Sequence, residues 1–355
     1  MNMFFISLSI SISIVFSLPS YAIEENSGCI NCHVNPTGGG MRNDYGSNIY
    51  SLDELSIRKW IKSDDKKFDG FIKDNVQIGG DFRIQSYDRQ QNHTIFPMQI
   101  DLYSNIEFKN NFSMFMKYGA EFELYFLLNK KNRWIKLGKT MPNYGLKLDD
   151  HTSFIRGGNS SNSYIYSGSV DEGLIFDYAS TYKDPVLVEV GSKINKNISF
   201  TSSISTGIVG EDEENITLSV FYINKMNFGS IFLGTSIMQE NEFRMLGMFG
   251  GFSKGNLTLT YEVDKVNNWI IDYESLASYL EMVYKPIQGV HMIAKYDFFD
   301  KNYDLLDGSV GRYSFGFNFF PSNLIEIKLQ LRDYKLYSID FDTDREYLVQ
   351  LHTWF

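Results

Sequence analysis

Apolar and polar residues alternate with a period of two along most of the chain, beginning at Val76. The pattern is clear over 76–85, 98–108 and 116–124. Successive side chains of a β-strand point to opposite faces, so this period predicts strands with one apolar and one polar face. Further segments show it at 184–192, 196–208, 215–224, 256–264, 275–285, 290–299, 311–320 and 324–336, and the final one ends at Phe355. Counted over the whole chain, the pattern predicts an all-β, antiparallel fold of about sixteen strands, and bacterial outer-membrane barrels have an even number.

The end of the chain favours a transmembrane β-barrel over a soluble β-sandwich. An apolar face over 347–355 finishes on the aromatic residue Phe355. This ending resembles the C-terminal assembly signature of bacterial outer-membrane barrels. A soluble β-sandwich needs neither that residue nor so many strands, so residues 75–355 are predicted to form the barrel.

The connections between the predicted strands differ in length. Short turns are predicted at 109–111, 225–227, 285–289 and 321–323, and longer polar connections at 210–215, 264–272, 300–310 and 338–343. In outer-membrane barrels the short turns face the periplasm, which places both termini there. The connection 139–170 is long although strand parity puts it at the periplasmic end. It is expected to fold into the lumen as part of a plug, or to hide two more strands and raise the count to about eighteen.

Residues 1–22 predict a cleavable signal peptide. An apolar stretch rich in Ser, Ile and Phe ends at Ser20-Tyr21-Ala22, with small residues where a signal peptidase needs them. The stretch is too short to span a membrane as a helix. We therefore expect an exported chain that begins at Ile23.

Composition fits a barrel in the outer membrane. The 355 residues include 29 Phe and 23 Tyr, yet the mean hydropathy is only −0.23. Alternating lipid-facing and lumen-facing residues with aromatic girdles give this average. The net charge of −10 argues against nucleic acid as a partner, because a phosphate-binding surface is basic.

The two cysteines lie in one motif, Cys29-Ile30-Asn31-Cys32-His33. This CxxCH spacing is typical of c-type haem attachment, in which both thiols bond one macrocycle and the histidine ligates the iron. The alternatives are a disulfide or half of a zinc site, and zinc would need two more ligands nearby. The motif predicts one covalent haem c with His33 as its metal ligand.

The residues around the motif predict a small α-helical module over 23–74. Gly38, Gly39 and Gly40 allow the backbone to lie against a flat ligand, or form a flexible turn. A capping-box pattern over 51–54 predicts a short helix, whose apolar side comprises Leu52, Leu55, Ile57, Trp60 and Ile61. The charged stretch 62–74 is interpreted as a linker. A module this small seldom buries a sufficient core alone, so the barrel is expected to complete the haem's enclosure.

Taken in order, the signal peptide, the CxxCH and the barrel resemble the fused monohaem cytochrome and porin proteins of the outer membrane, a family that includes outer-membrane iron oxidases. The likeness extends to 35–43 and 142–151. It implies that Cys29 and Cys32 hold haem c, that His33 is its proximal ligand, and that electrons pass between the cell exterior and the periplasm. No iron-binding motif of the family matches residue by residue.

Five residues carry a nitrogen or sulfur atom that could ligate the second axial position of the haem iron: His93, His151, His291, His352 and Met41. His93 is expected in an external loop, whereas His291 and His352 face the lumen. His151 follows two carboxylates that can orient an imidazole, and strand parity puts its connection at the haem's end of the barrel. We predict His151 as this ligand, with Met41 second and a purely structural His151 as the alternative.

Two functions follow as hypotheses. The first is an electron-transfer protein that links an extracellular donor or acceptor, Fe(II) among the candidates, to periplasmic cytochromes. The second is a solute porin whose haem is a redox gate or sensor. Carboxylates predicted to line the lumen or loops would attract cations, or would simply make the lumen polar as in other barrels: Asp81, Asp101, Glu107, Glu121, Glu123 and 211–214.

Overall fold

The computed structural model describes residues 20–57, 70–89, 92–119, 122–148, 150, 152–155, 185–208, 213–267, 274–302, 304–305, 309–337 and 342–355. These residues contain seventeen β-strands. The strands are β1 Phe71–Lys73, β2 Val76–Arg89, β3 Asn92–Glu107, β4 Phe112–Tyr118, β5 Glu123–Lys130, β6 Arg133–Lys139, β7 Val186–Lys193, β8 Ile198–Thr206, β9 Glu214–Met226, β10 Gly229–Glu240, β11 Phe243–Lys254, β12 Leu257–Asn267, β13 Glu274–Ile287, β14 Val290–Asp300, β15 Ser309–Ser322, β16 Ile325–Tyr337 and β17 Asp342–Trp354.

Strands β2 to β17 form a closed antiparallel barrel of sixteen strands, which confirms the predicted fold class. Each strand pairs with the next along the chain, and β17 closes the ring by pairing with β2. The short strand β1 adds to the start of β2, with Phe71 opposite Gln77. Part of the predicted linker 62–74 is therefore a strand. Closure removes the unpaired edges that a membrane-embedded sheet cannot leave exposed.

The burial of side chains is inverted relative to a soluble protein. On β9, Asn215, Thr217 and Ser219 are buried in the lumen, whereas Ile216 and Leu218 are exposed on the outer face. An apolar outside and a polar inside are the pattern of a barrel in lipid. The described residues include no helix that is long and apolar enough to cross a membrane.

The prediction of a single strand over 116–124 is wrong. The chain reverses direction between β4, which ends at Tyr118, and β5, which begins at Glu123 and pairs antiparallel with β4. Gly119 lies so close to β3 that a Cβ there would come within 1.8 Å of the Asp101 carboxylate. The apolar and polar alternation runs through this turn without a break, so periodicity could not locate it.

This turn, with the hairpin of β5 and β6, corrects the strand parity. The connection after β6 leaves the barrel at the end opposite the chain's C-terminus, together with the other long connections. It does not lie at the periplasmic end as predicted, although the short turns predicted at 109–111, 225–227, 285–289 and 321–323 do lie together at the C-terminal end. We call this the short-turn end.

Residues 20–57, here called the N-terminal segment, lie inside the barrel near the short-turn end. Helix α1, Ser20–Glu24, packs against β10, β11 and β12. The main-chain N–H of Ile57 donates to Phe320 over 3.1 Å, and Gln288 donates to the main-chain oxygen of Asp53 over 2.7 Å. The barrel thus encloses the short helical segment. Residues 1–19 of the predicted signal peptide lie outside the described residues.

The helix predicted to begin at the capping box has different bounds. A π-helical segment spans Tyr45–Leu55, so Ser51 lies inside it instead of capping it. The Ser51 hydroxyl is fully buried and donates to the carbonyl of Gly46 over 2.7 Å. A buried serine satisfied by its own helix looks, in sequence, the same as a capping serine. Trp60 and Ile61 lie outside the described residues.

Candidate functional site in the barrel lumen

Part of the long connection after β6 fills the lumen, as the sequence predicted. We call residues 140–148, 150 and 152–155 the plug. Main-chain N–H groups of the plug donate to carboxylates on the barrel wall, from Asn143 to Glu189 over 3.2 Å and from Leu146 to Glu262 over 2.8 Å. Burying these amides is favourable because charged acceptors satisfy them. The plug enters from the long-connection end, not from the predicted end.

Asp150 attaches the plug to the opposite wall. Its carboxylate pairs with the buried Lys295 and lies 3.6 Å from the Arg332 guanidinium. Although burial alone would raise the pKa of Asp150, Lys295 and Arg332 hold it well below the ordinary value of 3.8. Asp150 is therefore ionised at neutral pH and anchors the plug electrostatically.

The CxxCH motif is held by a tight hairpin. The main-chain N–H of Val34 donates to Met41 over 3.1 Å, so the intervening glycine run folds back on itself. The Asn43 side-chain amide donates to the carbonyls of Ile30 and Asn31 over 3.1 and 3.0 Å. One asparagine thus fixes the loop between the two cysteines.

Two glycines permit close packing against the cysteines. Gly38 has a φ of +89°, and a Cβ there would lie 3.0 Å from the Cys29 Sγ. A Cβ on Gly46 would lie 2.2 Å from the Cys32 carbonyl oxygen, too near for any side chain. The glycines are therefore needed where the chain crosses the motif.

Cys29 and Cys32 are not bonded to each other, and both line a lumen cavity of about 440 Å³ between the N-terminal segment and the plug. Burial raises the pKa of the Cys29 thiol to about 11 and raises that of Cys32. Both groups are protonated thiols at neutral pH. This disfavours spontaneous disulfide formation, since the thiolate is the reactive form.

The cavity combines aromatic, cationic and ligating groups. Its volume lies within the range of small-molecule and cofactor sites. His33 and the glycine run 38–40 line it beside the cysteines. Its remaining walls include Met41, Arg42, Arg83, Tyr103, Phe115, Lys117, Met141, Lys147, His291, Phe320, Lys328, His352 and Trp354.

His352 and His93 do not fit the second axial position. The ring nitrogens of His352 lie 2.9 Å from the Glu326 carboxylate and 3.0 Å from that of Asp81, so both are engaged. His93 is exposed beside Asp88 at the long-connection end of β3. His151, the predicted ligand, lies outside the described residues and stays a prediction, although the parity argument that favoured it no longer holds.

Met41 lines the cavity, yet its side chain has a structural role as well. It is 4% exposed and packs in a cluster with Tyr103, Phe115, Tyr125 and Trp134 from β3 to β6. The neighbouring Arg42 guanidinium lies 4.2 Å from the centre of the Trp354 ring instead. Met41 thus joins the hairpin to the barrel wall, and its role as a haem ligand stays a prediction.

The predicted lumen carboxylates are mostly paired. Asp81 contacts Arg83 and His352, and Glu123 lies 2.7 Å from Lys117 and accepts a hydrogen bond from Thr140. Glu107 is exposed beside the short turn instead of lining the lumen. Within the described ranges no group of three or more His, Cys, Asp or Glu side chains could hold a metal ion. Glu121, Glu211 and Asp212 lie outside those ranges.

Sequence reasoning missed the residues that hold the plug. Glu189, Glu262, Asp264 and Asp297 lie on inward faces of β7, β12 and β14, and each accepts hydrogen bonds from the plug. Their alternation with apolar residues showed only that they face inward. Which inward carboxylate has a partner depends on the path of the connection after β6, which periodicity does not specify.

No known protein family and no characterised protein sequence matches this chain. Solved structures of outer-membrane proteins do resemble it. OmpT of Vibrio cholerae is 11% identical and matches with a TM-score of 0.56 over 80% of this chain and 99% of its own. The anion-selective porin from Comamonas acidovorans is 11% identical, with a TM-score of 0.54 over 79% and 99%. Pseudomonas putida OprB is 8% identical, with a TM-score of 0.58 over 79% and 94%.

The likeness at such low identity defines the fold alone. The chain is an outer-membrane-type β-barrel with a porin-like architecture, and its lumen holds a CxxCH hairpin and a plug. Any function of this barrel has to account for the CxxCH hairpin and the plug inside its lumen.

Proposed function

We propose that this protein is an outer-membrane electron-transfer protein. One haem c, attached to Cys29 and Cys32 with His33 as proximal ligand, would pass electrons between an extracellular donor or acceptor and periplasmic cytochromes. The observation that carries the proposal is the location of Cys29, Cys32 and His33 on one cavity inside a membrane barrel. The apolar band of such a barrel is about 25 Å tall. A redox group inside the barrel would shorten the distance that electrons must cross through it.

The residues around the cavity fit a haem. Both thiols and the histidine of the motif face the same space, as covalent attachment and axial ligation require. Tyr103, Phe115 and Phe320 give it apolar walls, and cationic side chains such as Arg42 and Lys147 suit the two propionates. When bound, the haem supplies one-electron chemistry. The chain's own residues bind it, limit its contact with water and set the polarity around it.

The plug supports electron transfer over solute transport. Its hydrogen bonds reach β7, β12 and β14 across the lumen, and Asp150 anchors it to buried cations. Cys29 packs against the hydrophobic cluster that contains Tyr144, Leu146 and Phe154 of the plug. A small solute would have to displace this packing, whereas an electron needs only short distances between redox groups.

The barrel's orientation suggests the partners. In outer-membrane barrels the short turns face the periplasm, and the N-terminal segment lies near that end. Soluble periplasmic cytochromes would exchange electrons there. A metal ion such as Fe(II), or another extracellular redox partner, would act from the long-connection end, and outer-membrane lipid would contact the apolar outer face.

The alternative function is a solute porin with a haem-bearing gate or sensor, and the likeness to porins favours it. Two measurements on the purified haem-loaded protein separate the hypotheses. Candidate donors and periplasmic cytochromes are added while haem absorption reports its redox state, and ion conductance is measured in planar bilayers. Electron transfer predicts rapid redox change with little conductance. Steady conductance that responds to the oxidation state of the haem, without electron exchange with the candidate donors or the periplasmic cytochromes, would support the porin and refute the proposal.

A further inference from the structure

A second buried imidazole lines the CxxCH cavity. His291 is the second residue of β14, directly after the turn at 288–289 of the short-turn end. Its side chain is 2% exposed and lines the same cavity as Cys29, Cys32 and His33. This end of the barrel also holds the N-terminal segment, so the location of His291 agrees with that of the motif.

Aromatic rings connect His291 to the wall behind Cys32. The His291 ring centre lies 4.8 Å from that of Phe320. Phe320 belongs to the cluster with Tyr50, Leu55 and Trp354 against which Cys32 packs. His291 and the second haem-attaching thiol therefore contact a common set of side chains.

The described residues make ring contacts with His291 but no hydrogen bond or ion pair with its nitrogens. His352, by contrast, has a carboxylate beside each nitrogen. Because the His291 ring lines the cavity, a group bound there can reach its nitrogens.

We propose that His291 is the second axial ligand of the haem c iron, with His33 as the first; the inference rests on the proposed function. Imidazole nitrogen is a common ligand of haem iron. Strand parity no longer favours His151, whereas His291 itself lines the cavity that holds the motif. The packing of Met41 within its own aromatic cluster favours His291 over that thioether.

The test uses full-length protein matured with haem c and purified in detergent. The wild type is expected to show a low-spin ferric spectrum, because two strong axial ligands give low-spin iron. His291→Ala should become high-spin, and added imidazole should restore the low-spin spectrum. His291→Gln provides a second variant close in size, and heat-modifiable migration on a gel shows that each barrel is folded.

The control is His93→Ala, in an exposed position, which should keep the wild-type spectrum. His151→Ala and Met41→Leu test the two competing ligands, and the inference expects both to stay low-spin. A low-spin spectrum in folded His291→Ala and His291→Gln would overturn the inference, as would conversion to high spin by His151→Ala or Met41→Leu alone. Absence of covalent haem from the wild type would refute the proposed function itself, and a denaturing gel stained for haem detects this separately.

Discussion

The hydroxyl group of Tyr144 donates a 2.9 Å hydrogen bond to the carboxylate of Asp264, joining the plug to strand β12 inside the barrel. Two positions away on the same strand, Glu262 accepts from the main chain of Leu146. Gly247 on the next strand leaves room for this contact, since a Cβ there would lie 2.6 Å from the Tyr144 hydroxyl oxygen. Strands β11 and β12 thus form a seat for the plug.

Removing this seat should loosen the plug. In the double variant Glu262→Ala with Asp264→Ala, the Tyr144 hydroxyl and the Leu146 amide lose their acceptors. A hydrogen bond to a charged group contributes about 1.5–3 kcal/mol. The loss of both hydrogen bonds should therefore considerably destabilise the state in which the plug fills the lumen. Planar-bilayer recordings should show more frequent channel openings. The control is Lys265→Ala on the same strand, whose side chain pairs with Glu274 and alternates with the inward-facing Glu262 and Asp264. Equal conductance in the double variant, the control and the wild type would contradict the role of the seat.

The pKa of Asp150 predicts how the plug responds to acid. Its pKa is lowered in the folded protein, so its contribution to stability is full above the ordinary value of 3.8 and is lost only as the pH falls through the still lower folded value. The plug should therefore remain protected from protease between about pH 7 and pH 4. Lys295→Met removes one of the cations that lower the pKa of Asp150, so that pKa should rise. The variant should therefore lose protection at a higher pH than the wild type, and loss of protection by the wild type at pH 5 would refute the assignment.

The C-terminal residue closes the barrel. Main-chain groups of Phe355 and Gly80 exchange two hydrogen bonds of 3.1 Å, and the Phe355 ring stacks 6.1 Å from that of Phe82. Deleting Phe355 removes both contacts and the aromatic end of the chain. The variant should reach the outer membrane more slowly or in smaller amounts, measured by fractionation and heat-modifiable migration. Phe355→Tyr keeps the ring and should assemble normally; soluble wild-type protein in the periplasm would overturn the architecture.

The fold was largely predictable because each lipid-facing strand must be apolar on one side. The segments predicted at 290–299 and 324–336 match β14 and β16 within a few residues. The reversal between β4 and β5 escaped prediction because Met116, Tyr118 and Phe122 continue the alternation across it. That single error reversed the strand parity and placed the plug's entry at the wrong end.

The candidate site was predictable only where chemistry fixes the spacing. The spacing typical of haem c attachment singles out Cys29, Cys32 and His33 in the sequence, and the structure brings all three to one cavity. The role of Asn43 and the proximity of His291 to the motif depend on contacts between residues far apart in the chain. Local pattern cannot supply such contacts, which arise only when the barrel closes around the N-terminal segment.

Covalent attachment is the prediction on which the functional proposal depends most directly. Cys29→Ala with Cys32→Ala removes both thiols that line the cavity, so no thioether can form and the haem should be lost under denaturing conditions. The measurement is haem staining of denaturing gels after expression with a c-type maturation system. Ile30→Val leaves both thiols in place and should retain the stain. Retention of haem by the double variant would refute covalent attachment at this motif, on which the electron-transfer proposal depends.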